Sequence, residues 1–148
     1  MKKFVFCVVD DEPLNQEIIM RRLEGLNCTM HAAGDGHAAL KVLEQEHVDL
    51  MLLDYRMPAL DGLEVLKKVR DRWRSDELGI IMISAENAPA VVSQFYESGA
   101  DDYVAKPFRA AELQARTQTV LLDLSLRQRD RRLAELDGLG RDIRANGA

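Results

Sequence analysis

The 148-residue chain is short of cysteine, of excess positive charge and of long apolar runs. Each shortage removes a class of protein. Its two cysteines, Cys7 and Cys28, are far apart and sit in apolar runs. They make neither a disulfide framework nor a zinc site, and both are expected to be reduced and buried as small hydrophobes. No apolar stretch approaches the roughly 20 residues that cross a bilayer. Met1-Lys2-Lys3 and Phe4–Val9 begin like a signal peptide, but Asp10, Asp11 and Glu12 come next with no small-residue cleavage site. The expectation is a cytoplasmic protein with no membrane partner. A formal net charge of −5 and a pI near 5.2 argue against a broadly basic, nucleic-acid-binding surface. His31, His37 and His47 lack the spacing of a metal site. No G-x-G-x-x-G comes after the first apolar run; Asp-Asp-Glu-Pro stands there, and its charge repels a pyrophosphate.

What is present is the balance of a soluble domain, with 47% hydrophobic and 30% charged residues. Short β-rich runs alternate with helix-period segments. Phe4–Val9 reads as a strand covered on both faces. Leu14, Ile18, Ile19 and Leu23 recur at helical spacing after Pro13. Cys28–Ala33 is a second strand, and Asp35 suits the cap of a helix carrying Ala39, Leu40 and Leu43. Val48–Leu53 is a third strand ending at Asp54, and a helix with Leu63, Leu66, Val69 and Trp73 on one face comes after it. Ile80–Ile83, a helix over Ala90–Ser98 and a short strand Tyr103–Ala105 come next. A last helix starts near Arg109 and meets no breaker before Gly138. This is an α/β pattern, five strand-helix units, which predicts a doubly wound parallel sheet.

In such sheets ligands bind beyond the carboxyl ends of the strands. Asp10 and Asp11 stand after the first strand, Asp54 after the third, Ser84 after the fourth and Lys106 after the fifth. In the order 2-1-3-4-5 they meet around one pocket. Three carboxylates that close repel one another and raise their pKa values unless a cation joins them, and oxygen ligands with room for water suit Mg²⁺.

These segments carry a resemblance. Val8-Val9-Asp10-Asp11-Glu12, Leu52 through Pro58, Asp61-Gly62, Met82-Ile83-Ser84-Ala85 and Tyr103 through Phe108 stand in the order and spacing of response-regulator receiver domains. The chain resembles that family over roughly residues 4–122. The resemblance implies a flavodoxin-like (βα)5 fold and a phosphoacceptor at Asp54, charged from a phosphohistidine on a histidine kinase or phosphotransfer protein. It implies Mg²⁺ held by Asp11, Asp54 and the backbone carbonyl of Arg56, with Asp10 bound directly or through water. Lys106 and Ser84 would take phosphoryl oxygens. Pro107, in a bond that is cis in the family, would set the turn that aims Lys106. Ser84 and Tyr103 would form the switch, acting on a surface over residues 90–122. Arg56 and Glu86, two residues after Asp54 and Ser84, would flank the water that hydrolyses the acyl phosphate and pair across the pocket mouth. A haloacid-dehalogenase-like phosphatase would need a carboxylate where Arg56 stands.

The receiver is expected over residues 1–122, leaving 123–148 as a helical extension or linker. Leu122, Leu126, Arg129, Leu133, Leu136, Gly140 and Ile143 alternate in steps of four and three, a heptad seam with two imperfect positions. The tail is expected to continue the fifth helix and pair in a homodimer, or to fold back, or to fray beyond Gly138. Asn146-Gly147-Ala148 is expected to be disordered. No helix-turn-helix pattern appears, so no direct nucleic-acid contact is expected. An output domain beyond the tail is expected by analogy with the family. The rival to a phosphorylation switch is a receiver-shaped dimerisation scaffold.

Overall fold

Phe4–Val9 forms β1, and its side chains alternate between two cores. Phe6 and Val8 enter one core while Cys7 and Val9 enter the other. Every side chain from Phe6 to Val9 is therefore buried, the condition under which a strand reads as an unbroken apolar run. The computed structural model describes residues 2–146, with side-chain environments to Arg141. Around β1 lie β2 (Cys28–Ala33), β3 (Leu50–Asp54), β4 (Gly79–Ser84) and β5 (Asp102–Ala105). All pairings are parallel, and the order is β2-β1-β3-β4-β5.

Five helices cover the two faces. α1 (Pro13–Leu23) and α5 (Ala110–Asn146) close one face over Leu50, Leu52, Ile81 and Ile83. α2 (Gly36–Gln45), α3 (Gly62–Arg70) and α4 (Pro89–Glu97) close the other over Met51, Leu53, Ile80 and Met82. Local chemistry sets the starts. Pro13 occupies the first turn of α1, where a missing N–H costs nothing. Asp35 accepts the Ala38 N–H at 2.7 Å. Asp61 caps α3 in a reciprocal pair with Glu64, a capping box that apolar periodicity does not reveal.

The element boundaries shift by one or two residues. β3 begins at Leu50 rather than Val48, although the Asp49 N–H already donates to Val5 O at 2.8 Å. β4 gains Gly79 and Ser84, and α4 runs one residue earlier than expected. Cys7 is buried, but Cys28 is only half-buried because it starts the edge strand β2. α5 does not stop at Gly138; it crosses both Gly138 and Gly140 to Asn146. A glycine inside a helix costs about 1 kcal/mol against alanine but keeps its N–H, so it weakens a helix without ending it. Gly147 and Ala148, the last of the expected disordered residues, lie outside the described residues. Among the described residues no helix is long and apolar enough to cross a membrane.

Candidate functional site

The carboxyl ends of β1, β3, β4 and β5 bring the expected residues to one place. Asp54 is the last residue of β3 and pairs in register with Ile83 of β4. The head of α3 rests directly on the backbone of Asp54, and this close approach requires glycine at position 62. The Gly62 N–H donates to Tyr55 O at 2.7 Å, and a Cβ on Gly62 would collide with the Asp54 carbonyl oxygen. Ala59, in the loop between β3 and α3, holds a left-handed backbone with φ 66°.

Carboxylate oxygens of Asp10, Asp11 and Asp54 all lie within 4.8 Å of one another. Asp10 is fully buried and Asp54 is 6% exposed. The Asp10 carboxylate accepts the Glu12 N–H at 3.0 Å, and α1 itself has no side-chain cap. The Asp pair is thus aimed at the site rather than spent on the helix. Lys106 Nζ donates to Asp54 Oδ1 at 2.7 Å and to Asp10 Oδ2 at 3.3 Å. Its backbone N–H bonds Ser84 O at 2.9 Å, and the Lys106–Pro107 peptide is cis.

Burial raises the Asp54 carboxyl pKa, and Lys106 pulls it back without cancelling the effect. Asp10 and Asp11 add the smallest upward pushes. Mutual repulsion was the expected cause; desolvation is the larger one, because β3 ends beneath its neighbours rather than in solvent. For Lys106, burial alone would lower the ammonium pKa, but Asp54 and Asp10 outweigh it and hold the group above its ordinary value.

Residue 86 ties three expected site residues together. Its N–H donates to Ser84 Oγ at 2.9 Å, and its carbonyl accepts the Tyr103 hydroxyl at 2.8 Å. Its carboxylate accepts the Arg56 guanidinium, through Nε at 2.8 Å and through Nη2. The pair expected across the pocket mouth is formed, and Arg56 also lies over the Tyr55 ring at 4.7 Å. Tyr103 is half-buried, with its ring centre 5.9 Å from that of Phe95. Beside Lys106 a groove of about 430 Å³ opens between α1 and the β5–α5 loop, lined by Asn15, Ile18, Arg22, Ala85 and Phe108.

Residues 6–118 match the response regulator receiver domain, and the chain belongs to that family. It is 40% identical over 121 residues to the "Probable transcriptional regulator ycf27" of Cyanophora paradoxa, covering 82% of this chain and 49% of that protein. It is 37% identical over 114 residues to "Response regulator MprA" of Mycobacterium ulcerans (strain Agy99), covering 77% of this chain and 48% of that one. A solved "probable two-component system response regulator/GGDEF domain protein" superposes with a TM-score of 0.79 at 32% identity, over 82% of this chain and 50% of that chain. The chain thus spans about half the length of these relatives.

Proposed function

We propose that Asp54 accepts a phosphoryl group from a phosphohistidine of a histidine kinase or phosphotransfer protein, in a Mg²⁺-dependent step. The observation that carries this is Lys106 Nζ, 2.7 Å from Asp54 and 3.3 Å from Asp10, set against three clustered carboxylates. An Asp54 oxygen forms the new O–P bond as the P–N bond to the imidazole breaks, and the imidazole takes its proton from solvent. Phosphoryl transfer needs positioning and charge stabilisation more than covalent help. Lys106 stands ready to turn from the Asp54 carboxylate to a phosphoryl oxygen.

An all-oxygen donor set this tight fits a hard divalent cation. Asp11, Asp54 and the Arg56 carbonyl would hold Mg²⁺, with Asp10 direct or through water. When bound, the ion supplies neutralising charge for the phosphoryl oxygens. Ile18, 38% exposed, lines the groove beside Lys106 with Pro107 and Phe108 and offers the kinase an apolar landing next to the acceptor.

The switch rests on the ties of residue 86. Ser84 Oγ now accepts the Glu86 N–H, leaving its own proton to donate. An acyl phosphate offers that proton a charged acceptor, and charge-assisted hydrogen bonds are the stronger kind. Drawing Ser84 toward Asp54 loosens the loop that Tyr103 and Arg56 also hold. The 90–122 face and the C-terminal helix then carry the change to a second copy or to an output domain. Arg56 and Glu86 flank the route of the hydrolytic water and set how long the phosphoryl group lasts. A scaffold indifferent to phosphorylation has no use for three crowded carboxylates.

The test is intact mass after incubation with acetyl phosphate, with and without Mg²⁺, on the wild type and Asp54→Asn. One Mg²⁺-dependent phosphoryl adduct, absent from the variant, is expected. A stoichiometric adduct on Asp54→Asn would overturn the site, and no adduct on the wild type even with a kinase donor would favour the scaffold.

A further inference from the structure

The two sides of α5 are used differently. Val120, Leu121 and Leu124 are buried against the chain's own domain. One turn further on, Arg127 Nη1 reaches Asp101 at 2.7 Å and Arg131 reaches Asp76 at 3.5 Å. These residues lie on one side of a helix that advances 100° per residue. On the opposite side Leu122 is 60%, Leu126 46%, Leu133 53% and Leu136 59% exposed. A row of leucines in water is a surface without its partner.

We propose that two copies of this chain pair in parallel along that row, each helix keeping its other side on its own domain. This deepens the partner half of the proposed function and does not depend on phosphorylation of Asp54. The heptad positions separate cleanly. Leu126 and Leu133 fall at a, and Leu122, Arg129 and Leu136 at d, facing the second helix. Val120, Arg127, Leu121, Leu124 and Arg131 fall at b, c and f, which a two-stranded coil leaves outside. Holding the domain and holding the second copy therefore do not compete.

Flanking charge selects a second copy, and selects parallel. Asp123, Asp130 and Asp137 occupy every e position from 122 to 137. An antiparallel pair sets e against e and would align these aspartates. A parallel pair sets g against the next e, which brings Arg132 to Asp137 of the partner. Arg132 makes no ion pair among the described residues, so it is available for that contact. Arg129, the one charge in the seam, lies beside Asp130 of the partner in the same arrangement and so fixes register. Gly140, at the next a position, has no side chain to offer and closes the seam.

The experiment is sedimentation of the full chain at about 10–500 µM, where a short coil of this kind associates by mass action. A dimer is expected for the wild type. Leu133→Asp with Leu136→Asp should give a monomer that unfolds like the wild type at concentrations low enough to dissociate the dimer, since both side chains are exposed in the single chain. Arg132→Glu should weaken the dimer several-fold, and adding Asp137→Arg should restore it. In a Cys28→Ser background, Leu126→Cys and Leu136→Cys should each form a disulfide with the same position of the other copy. A wild-type monomer throughout, a dimer that survives the double aspartate, or cross-linking at only one cysteine position overturns the parallel pairing. Acetyl phosphate treatment of the double-aspartate protein separates the two readings: an adduct equal to the wild type's is expected. A wild-type dimer that takes no adduct would overturn the phosphoacceptor alone.

Discussion

Acidic side chains sit at both ends of the sheet, and the protein treats the two groups in opposite ways. At the amino end, Asp101 accepts the Ile80 N–H at 2.8 Å, the Arg70 guanidinium at 2.9 Å and Arg127 at 2.7 Å. Arg70 spends its remaining donors on Gly99 O at 2.8 Å and Leu78 O at 2.7 Å. Asp49, 1% exposed, accepts from Val5 N at 2.8 Å and from His47 at 3.0 Å. At the carboxyl end, Lys106 pairs with Asp10 and Asp54, and the clustered Asp11 has no ion-pair partner among the described residues. The amino end satisfies its charges and so supports the fold. The carboxyl end leaves negative charge unmatched among the described residues, the condition the proposed cation and phosphoryl chemistry would need. A buried carboxylate is structural or functional according to how many of its lone pairs are already taken.

The sharpest way to break this comparison is to remove one partner at the satisfied end. Asp101→Ala would strand the Arg70 guanidinium, whose side chain is 12% exposed. A cost of about 3–5 kcal/mol is expected, read as a lower urea midpoint with unchanged slope. The same kind of change at the other end should do the reverse. Asp54→Asn keeps an acceptor for Lys106 but removes a desolvated charge, and should stabilise the protein by about 1–2 kcal/mol. The sign can be checked with pH. Because the folded-state pKa of Asp54 is raised, its protonation favours the fold, so the wild type gains relative to the variant as pH falls through that value. The advantage of Asp54→Asn should therefore be largest at neutral pH and close in acid.

A cation should do at neutral pH what acid does. Mg²⁺ at tenfold its dissociation constant is expected to add about 1.4 kcal/mol to the wild type, as a rise in melting temperature, and less to Asp54→Asn. The smallest effect belongs to a group outside both ends. The Thr117 hydroxyl on α5 is fully buried with no hydrogen-bond partner among the described residues. Thr117→Val should stabilise by about 1 kcal/mol, and thermal melting without loss of phosphorylation would check it.

The two ends also differed in how far they could be read from sequence. The carboxyl end was legible because strand ends are marked by a change from apolar to polar, and Asp10, Asp54, Ser84 and Lys106 each stand at such a change. The sheet order then brings them together. The amino end was not legible. Arg70 and Asp101 are 31 residues apart, Asp101 and Arg127 are 26 apart, and neither spacing reflects a helix or strand period. Nothing in Asp101-Asp102 says which acid faces inward. Small offsets had local causes: β3 is expected two residues early because Val48 is itself buried, and Gly138, the first breaker in the sequence, lies inside α5, where continuation was one of the expected outcomes. The Glu86 tie was half legible, since its pairing with Arg56 was expected and its backbone bonds to Ser84 and Tyr103 were not.

The unbroken run of α5 has a mechanical meaning. Its last ion pair with the domain among the described residues is that of Arg131 with Asp76, and the helix continues to Asn146. At 1.5 Å per residue that leaves an arm of roughly 22 Å. A tilt of about 10° at the anchor moves the tip by about 4 Å, most of one helical pitch. A small tilt at the anchor would thus reach the far end of the helix already amplified, with the arm acting as a pointer on a gauge.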